Sequence, residues 1–414
     1  MRAEWLRHRI RDLSVDRTRA VLVVLGVVWG AMSLTVVLSF GNGFSLAMGK
    51  AIRATGRHII VLWGGIASRP HAGLPAGRWI RLEPEDALRI RERVAGVGQV
   101  SVEFIAGGVG IARGTHRMNA QVHGVSPCYG DLRYFPPGPG GRFLDERDEA
   151  ERRRVAFLGT AVKEQLFGDG RAVGETISIW GTPFTIIGVL RPKLALGNYE
   201  FVDSEKVLIP AGTFRALTGW RYLSYVVVEL TTPEANKRVI DRIFNALGPI
   251  HGFHPQDREA LGVLDWVAAH RQTRGVIAGT RILLGIVGVL GLLAAVVGVA
   301  NVVYVLVEER VRETGIQMAL GARPSTLFAG VIFDATALTF AGGLLGIAGS
   351  AAVLWLFNRL PFEGSARGYI GEPAVSLAVA SAVTVLLGVA GALAGYVPAR
   401  RGATLDPVEA LRAE

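Results

Sequence analysis

The chain has 414 residues, half of them hydrophobic and only 19% charged, against roughly 25% charge in ordinary soluble domains. The apolar residues gather in a few long runs, which excludes a plain series of soluble domains. A net charge of +10 would suggest nucleic acid in a soluble protein, but much of the excess arginine flanks those runs, where it meets anionic headgroups instead.

Residues 1–19 carry Arg2, Arg7, Arg9, Arg11, Arg17 and Arg19, with Trp5, Leu6, Ile10 and Leu13 at helical spacing. The pattern predicts an amphipathic segment on the inner membrane surface. Residues 20–40 are uncharged and long enough to cross a bilayer, which takes roughly 20 residues. The run is longer than a signal-peptide core and no A-x-A site follows it, so a permanent anchor is expected.

Residues 41–281 read as a large mixed α/β domain. "RHIIVLWGG" (57–65) is a β-branched run stopped by glycines, and "LEPEDALRIRERV" (82–94) is a helix opened by Pro84 and two acids. Residues 153–159, 175–190 and 224–230 read as strands, the second as two around Gly181. Residues 160–168 and 232–247 read as helices, the latter capped by Thr232. The Pro/Gly cluster "FPPGPGGRF" (135–143) is expected to divide this domain in two. Cys128 is the single cysteine; no intrachain disulfide can form, and a small buried or turn role suits it better than a nucleophile. His251 and His254 have no cysteine beside them, too little for a metal site.

Three more runs follow. Residues 282–307 and 374–397 are uncharged, and 327–357 is interrupted only by Asp334. Arginines gather on 1–19, on the 308–326 loop and on the 398–414 tail, whereas loop 358–373 has Arg359 and Arg367. The inside-positive bias then places both termini and 308–326 in the cytoplasm, and 41–281 and 358–373 outside. The fold expected is an α-helical membrane protein with four transmembrane helices and the α/β domain between the first and second. Gly26 with Gly30, Gly342 with Gly346, and Gly391 with Gly395 form G-x-x-x-G pairs that favour close helix packing. Asp334 reads as an interhelical hydrogen-bonding residue in preference to a relay or a substrate contact.

No G-x-x-x-x-G-K-[ST], G-x-S-x-G, H-E-x-x-H or C-x-x-C motif occurs, so no catalytic set and no cofactor site is expected in this chain. The 308–327 stretch "EERVRETGIQMALGARPSTL" has a different character. Glu309 stands one turn from Arg312 and Glu313, while Val311, Ile316, Met318, Ala319 and Leu320 supply an apolar side. Gly321 is placed to end the helix and Pro324-Ser325 to begin the next.

"EERVRETGIQMALGA" resembles the loop signature of the MacB/FtsX-like ABC transporter permeases, and the tail "VPARRGATLDPVEALR" (397–412) resembles that family's ending. "RTRAVLVVLGVVWG", "EPEDALRIRERVAGVGQVS" and the 153–190 stretch are similar to its first span and extracytoplasmic domain. The resemblance covers nearly the whole chain. It implies a cell inner membrane permease that works as a dimer, pairing with a second permease copy or paralogue. Its loop would dock as a coupling helix on a separate ATPase subunit, where ATP and Mg would bind. By position, Glu309, Arg310, Arg312, Glu313, Gly315, Ala319, Leu320, Gly321 and Ala322 would make that contact. Macrolide exporters carry an ATPase domain ahead of the first span and this sequence does not, so a split system is expected. The resemblance leaves two readings, export or extraction of a substrate, and a mechanotransmission lever that activates a periplasmic hydrolase or sensor. A periplasmic adaptor is compatible with either.

Overall fold

The computed structural model describes residues 17–56, 58–193, 199–309, 316, 324–360, 368 and 370–403. It separates into two compact units, Met48–Gly275 and the combination of Met1–Ala47 with Val276–Glu414. The elements in chain order begin with helix α1 (Arg17–Thr55), strand β1 (Ile59–Gly64), helix α2 (Pro84–Arg93), strands β2 (Val97–Arg113) and β3 (His116–Val125), and short helices α3 (Tyr129–Leu132) and α4 (Glu146–Ala150). Next come β4 (Val155–Leu158), α5 (Thr160–Phe167), β5 (Thr176–Ile179), β6 (Thr182–Val189), β7 (Lys206–Pro210), α6 (Ala211–Thr218), β8 (Tyr225–Leu230), α7 (Asn236–His251) and β9 (Leu261–Asp265). Three long helices close the chain: α8 (Trp266–Glu309), α9 (Pro324–Arg359) and α10 (Leu377–Ala403).

The unit from Met48 to Gly275 is organised by one nine-stranded sheet in the order β3-β7-β4-β6-β5-β2-β8-β1-β9. β2 and β3 also pair, so β3, β7, β4, β6, β5 and β2 close into a ring. The β-branched run of β1 lies between β8 and β9, and Ile59, Ile60, Val61 and Leu62 are all buried, as a strand covered on both faces requires. Helix α2 starts at Pro84 with a capping box in which Asp86 Oδ2 accepts the Glu83 N–H at 2.9 Å. It buries Ala87 and Ile90 and leaves Arg91 and Arg93 exposed. The β5–β6 hairpin turns on Trp180 and Gly181, both at positive φ, the geometry of a two-residue primed turn.

The sheet does not divide at 135–143. That segment runs alongside β6 instead: Gly138 N and Arg142 N donate to Val189 O at 2.8 Å and Ile187 O at 2.9 Å. These prolines and glycines therefore pair with the part of β6 that the shorter β5 does not reach, and do not link two lobes.

Among the described residues, four helices are long and apolar enough to cross a membrane, over Val24–Thr55, Trp266–Gly298, Ala335–Arg359 and Leu377–Tyr396. Helices α1 and α8 extend furthest beyond the uncharged runs. Helix α1 continues past Phe40 through Gly41 and Gly43, where a Cβ would meet Leu284 Cδ1 at 3.1 Å and Pro373 Cα at 3.0 Å. Close packing there outweighs the roughly 1 kcal/mol that each glycine costs a helix. Helix α8 begins directly after β9, and Asp265 Oδ1 accepts the Ala268 N–H at 3.0 Å as an N-cap. Between helices α1 and α9, Gly342 and Gly346 supply the close approach. A Cβ at Gly342 would stand 2.8 Å from Val27 Cγ1, and one at Gly346 would stand 2.6 Å from Ala31 Cβ and 2.8 Å from Val28 O.

Candidate functional site

The residues expected to contact an ATPase lie mostly outside the described residues. Glu309 is the last residue of α8, whereas Arg310, Arg312, Glu313, Gly315, Ala319, Leu320, Gly321 and Ala322 fall in the part not described. Asp334 is on α9, in its third turn. Of the glycine pairs, Gly342 and Gly346 face α1, and Gly391 would place a Cβ 3.0 Å from Thr339 of α9. Gly30 and Gly395 are buried, and Gly26 is exposed with open space beside it. Ser350 Oγ, bonded to Gly346 O at 2.7 Å, also lies 3.2 Å from Met32 O on α1.

The α/β unit contains a polar cluster that no local motif announces. Glu103 comes from β2, His123 from β3, Tyr129 and Arg133 from α3 and the residue after it, and Lys206 from β7. Lys193, Tyr199 and Asp203 come from the β6–β7 connection. Arg133, Lys206, Glu103 and His123 are fully buried. Lys206 Nζ donates to Asp203 Oδ1 at 2.9 Å, Lys193 Nζ pairs with Asp203 Oδ2 at 2.9 Å, and Arg133 Nη2 lies 3.4 Å from Oδ1. Burial would push the Asp203 carboxyl up, but the charges of Arg133, Lys206 and Lys193 overcome it and hold it well below the ordinary carboxylate range. Each cation shares that one carboxylate, so burial dominates at Lys193 and pushes its ammonium down to about 8, still charged at neutral pH.

A second carboxylate, Glu103, accepts from His123 Nδ1 at 2.7 Å, from Tyr129 Oη at 3.0 Å and from Tyr199 Oη. Against burial, the His123 hydrogen bond and the nearby charges keep Glu103 ionised and below its usual value. Burial moves His123 in the same direction, so its imidazole is neutral, with its proton on Nδ1 because the carboxylate can only accept. Both tyrosines are pushed well up by burial and by the Glu103 charge, and remain phenols. Cys128, nearby, is pushed up to about 11 by burial. It is a thiol and not a poised nucleophile.

What this cluster holds is the end of α1. The last carbonyls of a helix have no partner within it and carry partial negative charge. Arg133 Nη1 donates to Thr55 O at 2.7 Å, and Lys193 Nζ donates to Ala54 O at 3.2 Å, Arg133 O at 3.0 Å and Tyr134 O at 2.8 Å. Gly56 ends the helix at φ +129, where a Cβ would stand 2.3 Å from Leu132 O. Only glycine fits that approach and that dihedral. Most of its polar atoms bond within it, although His123 Nε2 and Arg133 Nε have no hydrogen-bond partner among the described residues; it fixes a helix end to the sheet.

Comparison with known proteins places the chain in a family. The model of the MacB-like periplasmic core domain matches residues 20–246, and that of the FtsX-like permease C-terminal matches residues 285–407. The macrolide export ATP-binding/permease protein MacB of Rhodospirillum rubrum is 32% identical over 419 residues, covering 99% of this chain and 60% of that protein. The MacB of Bdellovibrio bacteriovorus is 27% identical over 413 residues, covering 99% and 62%. The pyoverdine export ATP-binding/permease protein PvdT of Pseudomonas syringae is 30% identical over 424 residues, covering 100% and 59%. The chain thus spans about 60% of the length of the curated relatives it matches. Among solved structures, the periplasmic region of MacB from Actinobacillus actinomycetemcomitans gives a TM-score of 0.42 at 18% identity, covering 54% of this chain and 95% of that one. With the core-domain match taking in more than half of the chain and the permease match most of the remainder, this protein belongs to the MacB/FtsX-like family of ABC transporter permeases.

Proposed function

We propose that this chain is the membrane-spanning part of an ABC-type machine that turns ATP hydrolysis, performed outside these 414 residues, into motion of its α/β unit. In this reading both termini are cytoplasmic and the 308–326 loop is the input. Its apolar side, with Ala319 and Leu320, fills a groove on the ATPase, and Glu309, Arg310, Arg312 and Glu313 set the register, with Gly315, Gly321 and Ala322 allowing close approach. ATP and Mg belong to the ATPase. A second permease copy completes the dimer, and Asp334 serves helix packing and not the cargo.

The observation that supports this reading is the clamp on Ala54 O and Thr55 O by Lys193 and Arg133. A helix joined to a sheet only by a flexible linker could move without moving the sheet. Here the helix end is bound by buried cations and β1 begins four residues after Thr55. Export or extraction of a substrate is the output proposed. Two relatives of comparable identity are named for different cargoes, macrolides and pyoverdine, so the proposal concerns the drive and leaves the cargo open.

The test is reconstitution of the full chain with its ATPase, measuring association and ATP turnover. Replacing Leu320 with Asp and Gly321 with Pro should abolish both while leaving membrane insertion intact. Normal coupling in that variant would reduce the loop to a turn. A transported compound should stimulate turnover; stimulation only by a protein partner would favour the lever.

A further inference from the structure

The α/β unit contains a cleft of about 680 Å³ beside the clamp. Its walls are apolar and aromatic, with Ile52, Phe135, Phe143 and Leu144 among them, and its polar groups are mostly cationic or imidazole: Arg53, His58, His270 and Arg274. Asp131 is the one carboxylate among the described lining residues. Arg53 and Arg274 are exposed, and neither has a salt-bridge partner among the described residues. His270 is 7% exposed, and its Nε2 is buried with no hydrogen-bond partner among the described residues. Buried polar atoms of this kind are nearly always satisfied, so a nitrogen in the wall of a cleft, left without a protein partner, points to a ligand atom.

Volume and chemistry together narrow that ligand. The space is that of a small-molecule site, well short of a protein interface. Guanidinium groups favour phosphate, and a neutral imidazole can donate to a phosphate oxygen. The apolar walls would have nothing to cover in a bare inorganic anion. In sequence, His270 and Arg274 shortly precede Arg281, the last charge before the uncharged run 282–307, and Ile52 and Arg53 closely follow the uncharged stretch that begins at Ala20. Ile52, Arg53, His270 and Arg274 thus lie at the ends of the candidate membrane-crossing helices Val24–Thr55 and Trp266–Gly298, and anionic headgroups are concentrated at such ends.

We propose that this cleft binds an anionic phospholipid, with its phosphate on Arg53, Arg274 and His270 and the start of its acyl chains against Phe135, Phe143 and Leu144. The site goes beyond the permease reading and does not depend on it, since binding needs no ATPase. The full chain in nanodiscs of equal phosphatidylglycerol and phosphatidylcholine should retain the glycerol lipid in native mass spectrometry with a preference of roughly thirtyfold, about fivefold for each arginine. The Arg53→Gln, Arg274→Gln double variant should lose most of that preference with an unchanged melting temperature, and millimolar inorganic phosphate should not displace the lipid. Equal retention of the two lipids, an unchanged preference in the double variant, or full displacement by phosphate alone would overturn the proposal. A second arm needs no variant: a photoreactive phosphatidylglycerol should label residues 127–144 of the native chain, and labelling confined to the four apolar runs would overturn it equally.

Discussion

Replacing Asp203 with Asn tests whether the buried cluster secures the fold as described. Asparagine preserves the shape and removes the charge. Two cations within 2.9 Å and a third at 3.4 Å would then share only Glu103 as a buried counter-charge. Breaking a buried ion pair by removing one partner costs about 3–5 kcal/mol, and the side chains of Arg133, Lys206 and Lys193 are 0%, 0% and 5% exposed, so solvent offers little screening. At roughly 2–4 °C per kcal/mol for a domain of this size, the melting temperature should fall by about 6–20 °C. Because the folded Asp203 pKa lies below its unfolded value of 3.8, its stabilisation is complete above that value and is lost as pH falls through the folded one. The gap between wild type and variant should therefore be full at pH 7 and close in strong acid. Thermal unfolding of the full chain in detergent, followed by near-ultraviolet circular dichroism, measures both. Removing one cation as well, with Lys193→Met, should recover part of the loss. A single variant within 1 kcal/mol of wild type, or a double variant that is simply additive, would refute the account of Asp203 as the shared counter-ion.

Three other perturbations have defined outcomes. Since burial holds folded His123 below its unfolded pKa of 6.5, its contribution is present above 6.5 and is lost as pH falls below it. Between pH 6.5 and 5, His123→Gln should flatten the pH dependence of stability by up to about 1.4 kcal/mol per pH unit, and parallel slopes would place the titration elsewhere. Gly346→Ala should destabilise helix packing by about 1–3 kcal/mol, because its Cβ would meet Ala31 and Val28 O, whereas Gly26→Ala, with nothing within 4 Å, should be near neutral in the same detergent unfolding assay. Asp334→Asn should leave coupled ATP turnover unchanged in the reconstituted complex, and lost turnover with normal folding would make the carboxylate a working group.

The elements legible in the sequence were those with local punctuation. β1 ends at its glycines, α2 opens at Pro84 with its acids, and the β5–β6 turn falls at Gly181. β2 and β3 had no such marks. Gly107 and Gly108 look like a loop, yet β2 passes through them with a register shift between Ala106 and Val109, and Gly108 at φ +65 absorbs the irregularity. Pairing on both sides of β2, with β3 along one edge and β5 and β8 along the other, carries the strand through a stretch whose own propensity argues against it. Likewise, Asp265 caps a helix whose charged first turns hide, in sequence, its continuation into an apolar run.

The clamp was harder to read for a different reason. Its members lie between Glu103 and Lys206 on at least five separate elements, and each taken alone is an ordinary polar residue. Lys206 is the nearest to a signal, a lysine heading the apolar strand "KVLIP" that is buried throughout. A charge in such a strand must find a partner, but which carboxylate answers it depends on the β6–β7 connection, whose course only the folded sheet determines. The same logic applies to the partners of the α1 end. Helix C-termini are capped by local glycines often enough that Gly56 accounts for the stop in sequence. The sequence gives no sign that the two orphan carbonyls just before it are met by cations some eighty and one hundred and forty residues onward. A terminal helix cap built from buried, non-local charges is expensive to assemble and holds firmly once formed. In the proposed reading, in which the α/β unit is moved, such a cap suits a joint under load better than a tether.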